Sequence, residues 1–375
     1  MKFNFNVSPN LRQKQSTRRI MAELTIALLV VYAFSLYFYY TRYDLDRALQ
    51  AVKLMAVSLL VALATESIWA LVTKQKVGAF LMNSFGFVTA IILTLMCPLN
   101  ITPFALGIAT FFAIFFGKLL FGGFGQNIFN PAAFGRAIVF AAFAKASTDV
   151  ITGATPTTIM ATTYNWLPAD NAVFTQLMDA VGGLGNMATG WYAGAIGETS
   201  AILLLIVGVV LAIRKVIDWR VPLIFICTVF VLGAVVGIAS GMSADLWLPY
   251  AAFHVLSGGV MFGAVFMLTD PVTTPTSAPG RCIFALGCAF ITMLIRLKGN
   301  LPEGVLYSIL LMNMLTPMIE KALDGKQTQI MKKAVTIFAV LALFAVGTSY
   351  VLGATGEKAE SSGHTAGISA QEVQR

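Results

Sequence analysis

Charge is scarce in this chain of 375 residues. Asp, Glu, Lys and Arg make up 11% of it, where a soluble domain carries about a quarter. With 58% hydrophobic residues, that shortage excludes an ordinary soluble domain and places the chain in lipid. Side chains that hold metals are scarce as well. Only two histidines occur, His254 and His364, and the four cysteines, Cys97, Cys227, Cys282 and Cys288, form no Cys-x-x-Cys pair. A zinc site or a dithiol centre would need such pairs. Single cysteines in apolar runs read as small packing residues, the alternative being a cluster ligated jointly with a partner subunit. Gly122-Gly-Phe-Gly125 lacks the strand-turn-helix setting of a dinucleotide fingerprint. The net charge of +8 is no sign of nucleic acid as a partner, because in a membrane protein the question is on which side the basic residues lie.

What the sequence has in abundance is apolar runs near the ~20 residues that cross a bilayer. They fall at roughly 21–40, 51–72, 79–98, 104–121 and 132–144, and again at 199–214, 221–241, 252–269, 282–296, 303–319 and 333–353. The first run follows a polar, basic segment and is long enough to span, which makes it a signal-anchor helix rather than a cleavable signal. The Gly-rich stretch Gly122–Pro131 reads as a broken or re-entrant element. With the N-terminus in the cytoplasm and the chain alternating, cytoplasmic segments hold 17 of the 25 Lys and Arg. That bias expects the 145–198 connection outside.

Two stretches repeat. Ser84 lies fourteen residues before Pro98, and Ser257 lies fourteen before Pro271; Gly86/Gly259 and Leu95/Leu268 coincide at the same offset of 173. Pro131 and Pro302 repeat at 171. Two halves of five helices each would be inverted, a layout common in transporters. The expected fold is all-α and polytopic, with ten core transmembrane helices in two inverted five-helix halves plus an extra C-terminal helix. Its expected parts are a basic arm (1–20), a first half (21–144), the external connection (145–198), a second half (199–319), a linker with an eleventh helix (320–353) and a polar tail (354–375).

The external connection opens with Asp149-Val-Ile-Thr-Gly-Ala-Thr-Pro-Thr-Thr158. Thr155 presents a hydroxyl among residues without bulk, and Gly153 lets another backbone approach closely; a plain connecting turn is the alternative. In the second half, Ser257, Gly258, Gly259, Gly263 and Ala264 leave room for a helix or for the flat face of a ligand. Asp270-Pro271 follows them, and Asn127 and Asn130 occupy a comparable place in the first half. Glu66 lies well inside the second run. An ionisable residue there is a functional candidate, either on an ion path or in a buried pair. Asp270 is the second ion-path candidate. Arg136, Arg281 and Asp270 read as interfacial, as do Tyr164, Trp166, Trp191 and Tyr192, which could anchor at headgroups or stack on a cofactor.

Ser8-Pro9, Arg18-Arg-Ile-Met21, Gly122-Gly-Phe-Gly-Gln-Asn-Ile-Phe-Asn-Pro-Ala132, Asp149–Thr155, Gly197-Glu-Thr-Ser200, His254-Val-Leu-Ser-Gly-Gly259, Leu268-Thr-Asp-Pro-Val-Thr273 and Leu311-Met-Asn-Met-Leu-Thr-Pro317 occur in this order. Over about residues 8–320 the chain resembles the D subunits of the Rnf complex, the ion-translocating ferredoxin:NAD oxidoreductase, and the homologous B subunits of the sodium-translocating NADH:quinone reductase. The resemblance implies FMN joined by a phosphoester to Thr155, with Asp149, Thr152, Gly153 and Ala154 completing the flavinylation motif, and a second, non-covalent riboflavin. It implies electron transfer coupled to Na+ or H+ movement in the inner (plasma) membrane. The partners it implies are the other Rnf subunits and a flavin transferase acting outside the cytoplasm, in addition to membrane lipid. A solute channel or secondary transporter without flavin is the competing expectation. Residues 320–375 extend beyond the pattern.

Overall fold

A computed structural model of the chain describes residues 15–143, 155–164, 166–168, 171–192, 194–198, 200–299 and 303–356. Among the described residues there are helices and connections and no strand. Helices α1 (Thr17–Arg42), α2 (Leu45–Val72), α3 (Val77–Ser84), α4 (Gly86–Met96), α5 (Pro103–Phe115) and α6 (Pro131–Ala142) precede the long connection. That connection holds α7 (Pro156–Tyr164), α8 (Asn171–Val181) and α9 (Gly183–Thr189). After it come α10 (Ala201–Ile213), α11 (Arg220–Ala239), α12 (Trp247–Leu256), α13 (Val260–Phe262), α14 (Ala278–Gly299), α15 (Val305–Ala322) and α16 (Gln327–Thr355). A π-helical turn, Gly263–Met267, continues α13.

Each expected apolar run is a helix or a bent pair of helices. Six helices are long and apolar enough to cross a membrane, or eight spans if each bent pair counts as one. α6 and α10, with 12 and 13 residues, rise only ~18–20 Å. Starts are written locally. Thr102 accepts from Ala105 N ahead of Pro103, and Asn130 Oδ1 accepts from Ala132 N and Ala133 N ahead of Pro131. A hydroxyl or amide cap followed by Pro satisfies orphan amides and presets φ. The Gly122–Pro131 stretch is irregular as expected, with Gly122, Gly123 and Gly125 at positive φ.

The run at 79–98 is a bent pair rather than one continuous helix. It bends by 49° between α3 and α4, where Phe85 takes a left-handed φ of 56°. The cause is tertiary: a Cβ on Gly86 would land on the Glu66 carboxylate of α2, so only glycine permits this approach. The second bend, 58° between α12 and α13, falls at Gly258 and Gly259, with φ of 65° and 70°.

Contacts sort the helix ends. Gln15 donates to Arg214 O, Arg18 donates to Asn83 Oδ1, and Glu23 pairs with Arg214. These gather the start of α1, the end of α10 and α3 at one end. At the other end, Phe38 of α1 meets Trp191 with centroids 5.6 Å apart, Gln50 donates to Leu99 O, and Tyr250 of α12 donates to Trp166 O. α3 and α12 thus begin at opposite ends of the bundle. Small residues let the helices approach: Gly135 lies against Ala113 and Leu93, and Gly233 against Ala251 and His254. Large apolar side chains such as Leu60, Leu71, Ile213 and Leu343 are exposed, as a lipid-facing surface requires.

Candidate functional site

Thr155 stands immediately before α7, and its hydroxyl and carbonyl act as the cap. Its Oγ1 accepts from Thr158 N at 3.2 Å, its carbonyl accepts from Ile159 N at 3.0 Å, and the hydroxyls of Thr157 and Thr158 lie 3.0 and 2.8 Å from its own. Pro156 supplies the first turn. The Thr155 hydroxyl therefore sits at a helix N-terminus, where first-turn amides and the helix dipole favour an anion. A phosphate esterified there would find Thr158 N and two hydroxyls as donors, so the residues present fit the phosphate part of FMN. Asp149, Thr152, Gly153 and Ala154 lie outside the described residues. Of the loop aromatics, Trp166 and Tyr192 face inward rather than an interface. Trp166 stacks on His254 at 5.4 Å, and the Tyr192 hydroxyl donates to Glu198 O and Leu256 O. Trp191 remains partly exposed, against Phe38.

Glu66 is buried and has two partners. Ser84 Oγ donates to its Oε1 at 2.5 Å, and Lys118 Nζ stands 3.2 Å from the same oxygen. Lys118, as buried as Glu66, also donates to Ser84 O, the carbonyl released at the α3–α4 bend. One ammonium thus neutralises a buried carboxylate and satisfies a broken helix, the two conditions under which charge and irregular backbone persist in lipid. Across a cleft that Lys118 lines, Asp270, after the π-helical turn, receives Val272 N and the Thr273 hydroxyl. Burial raises the Asp270 carboxyl, against the pull of those bonds and of Lys118. Asn130 ties the start of α6 to the π-helical turn, its Nδ2 donating to Met267 O at 3.4 Å.

The second bend is satisfied in the same manner. Arg296 of α14, fully buried, donates to His254 O at 2.7 Å, Ser257 O at 2.9 Å and Gly258 O at 3.3 Å. Its guanidinium also lies 5.1 Å from the Trp166 ring centroid. Ser257 and Gly258 therefore offer carbonyls to a protein cation, and Gly259 leaves space for the Glu198 carboxylate. Nearby, Arg136 pairs with Glu303 at 3.1 Å. The Glu198 carboxyl is pushed up to about 8 by burial and then by Glu303, against Arg136.

Three cations counted toward one side or the other by alternation are therefore interior: Lys118, Arg136 and Arg296 are each at most 2% exposed. The interfacial reading of Arg136 is corrected. Asp270 is half-buried beside the cleft, and Arg281 pairs with Asp218 nearer the surface. The sequence carried a weak signal for them. Ser84 and Ser257 mark the two bends, and Lys118 and Arg296 stand 34 and 39 residues after them.

An all-helical bundle with two broken, internally capped helices and a polar interior defines an integral membrane protein of polytopic type. The chain belongs to the NQR2, RnfD, RnfE family, whose model matches residues 4–329. It is 34% identical over 333 residues to the D subunit of the proton-translocating ferredoxin:NAD(+) oxidoreductase complex of Clostridium ljungdahlii, covering 85% of this chain and 94% of the relative. It is 37% identical over 325 residues to the D subunit of the Na(+)-translocating ferredoxin:NAD(+) oxidoreductase complex of Acetobacterium woodii, covering 84% and 91%. Identity to the D subunit of the ion-translocating oxidoreductase complex of Stutzerimonas stutzeri is 32% over 340 residues, covering 82% and 91%. The first two relatives are named for different ions.

Proposed function

We propose that this chain is the D-type membrane subunit of an ion-translocating ferredoxin:NAD oxidoreductase, carrying FMN on Thr155 and coupling electron passage to Na+ or H+ movement. Family membership over residues 4–329 carries the reading, and the capping geometry of Thr155 supports its attachment point. When bound, FMN supplies a carrier of one or two electrons. The protein's part is to fix its distance from partner subunits and to keep it from being lost. The basic end that gathers α1, α3 and the α10–α11 connection faces the cytoplasm, and the end holding α7 to α9 lies outside, where a flavin transferase reaches Thr155. The remaining subunits of the complex supply the electron donor and acceptor.

Two inverted five-helix halves accord with the paired bends, which run in opposite directions and are each capped by a buried cation. The interior between them is the ion route, with Glu66 and Asp270 as its carboxylates. The cleft beside Lys118, lined by Phe85, Phe124 and Phe266 with Asn127 and Asn130, holds about 70 Å³, room for a few waters or a small cation on that route and less than a non-covalent riboflavin needs. The test is made in the reconstituted complex. Thr155→Ala abolishes in-gel flavin fluorescence, whereas Glu66→Gln retains it and impairs ion uptake. Undiminished ion uptake in Glu66→Gln would reassign Glu66 to packing. A wild-type chain matured beside its transferase and still free of flavin would favour a flavin-free transporter.

A further inference from the structure

The family model stops at residue 329 and α16 begins at Gln327, so this helix is almost wholly an addition to the matched region. Toward its C-terminal end it fits closely. Ala345 and Ser349 are buried, and Gly353 lies against Val236 and Ala239 of α11. Toward its start the fit opens. A crevice of about 510 Å³ separates Ile224 of α11 and Ala278 and Cys282 of α14 from Ala334 and Phe338 of α16. That volume falls within the range of about 300–1,000 Å³ of small-molecule sites. The walls are apolar, and the small side chains of Ala278, Cys282 and Ala334 create the gap.

The mouth of the crevice is charged. Arg220, the first residue of α11, lines it and has no ion pair among the described residues. Its basic neighbours are matched: Arg214 pairs with Glu23 and Arg281 with Asp218. Trp219, exposed beside it with its ring 5.9 Å from the guanidinium, is the residue type found at headgroup depth. Lys332 and Lys333 stand in the second turn of α16, beside the crevice residues Met331 and Ala334. An apolar slot alone would admit any hydrocarbon. An unmatched guanidinium at its rim, with its forked donors, selects a phosphate, and the local surplus of positive charge selects a headgroup that is negative overall.

We propose that this crevice binds one anionic phospholipid, with an acyl chain between α11, α14 and α16 and its phosphate on Arg220, so that lipid fastens the added helix to the bundle. The complex containing the full chain is placed in vesicles of equal phosphatidylglycerol and phosphatidylcholine, extracted, and weighed by native mass spectrometry. The wild type is expected to retain phosphatidylglycerol in preference. Arg220→Gln, at an exposed position, should lower that retention about fivefold and leave phosphatidylcholine unchanged. Ala334→Phe, which fills the slot, should exclude both lipids. Phosphatidylglycerol retained equally by wild type and Arg220→Gln would overturn the assignment. So would lipid retained in full by Ala334→Phe, or a crosslink from Cys282 showing a partner's helix seated there.

Discussion

Replacing Lys118 by Met tests whether the buried pair at the first bend works as the geometry implies. The ammonium stands 3.2 Å from Glu66, and the two side chains are 3% and 1% exposed. Its loss leaves a carboxylate in the bundle with the Ser84 hydroxyl as its remaining partner, and deprives Ser84 O of its donor. Breaking a buried pair from one side costs about 3–5 kcal/mol, and the orphaned carbonyl adds about 1–3 kcal/mol. Combining Lys118→Met with Glu66→Gln removes the charge as well and restores part of that loss, a coupling of about 2–3 kcal/mol. Cys97 and Cys288 are buried, so a thiol-reactive dye reports unfolding once Cys227 and Cys282 are replaced by Ser. Lys118→Met should melt well below the parent, and the double variant should lie between them. A single variant as stable as the parent, or a double variant no better than the sum of its parts, would refute the reasoning.

Other outcomes follow from single contacts. Gly86→Ala drives a methyl group into the Glu66 carboxylate, so it should destabilise the bundle in the same dye assay, and combining it with Glu66→Ala should relieve the damage. Asn130→Ala loses the cap of α6, about 1 kcal/mol, and the tie to Met267 O; Asn130→Asp should recover the cap alone. Glu198 binds its proton more tightly when folded, so native stability falls as pH rises from the unfolded value of about 4.3 toward about 8. Glu198→Gln should flatten melting temperature across that window, and an unchanged slope would assign the pH dependence to another group.

The helical class, the apolar runs and the capped starts at Thr102 and Asn130 are legible in the sequence because each depends on neighbours a few residues apart. The separation of the 155–198 connection from the N-terminal end is legible from the order of the apolar runs that lie between them. The bend at Phe85 is hidden, because it exists only once Glu66 of another helix has claimed the space beside Gly86. Nothing local reveals that Lys118 and Arg296 each reach carbonyls more than thirty residues away. Apolar residues on every face of these helices leave no periodic stripe to say which side is buried. Thr155 could be picked out because its loop departs from that monotony, while its capping bonds to Thr158 appear only in the folded chain.

The most direct measurement is peptide mapping of the chain matured with its flavin transferase. The hydroxyls of Thr157 and Thr158 lie 3.0 and 2.8 Å from that of Thr155 at the start of α7, so the map must resolve the three by fragmentation. The expected result is one FMN phosphoester, on Thr155, with Thr157 and Thr158 unmodified. FMN on either neighbour, or a peptide without modification from a complex that transfers electrons, would contradict attachment at Thr155.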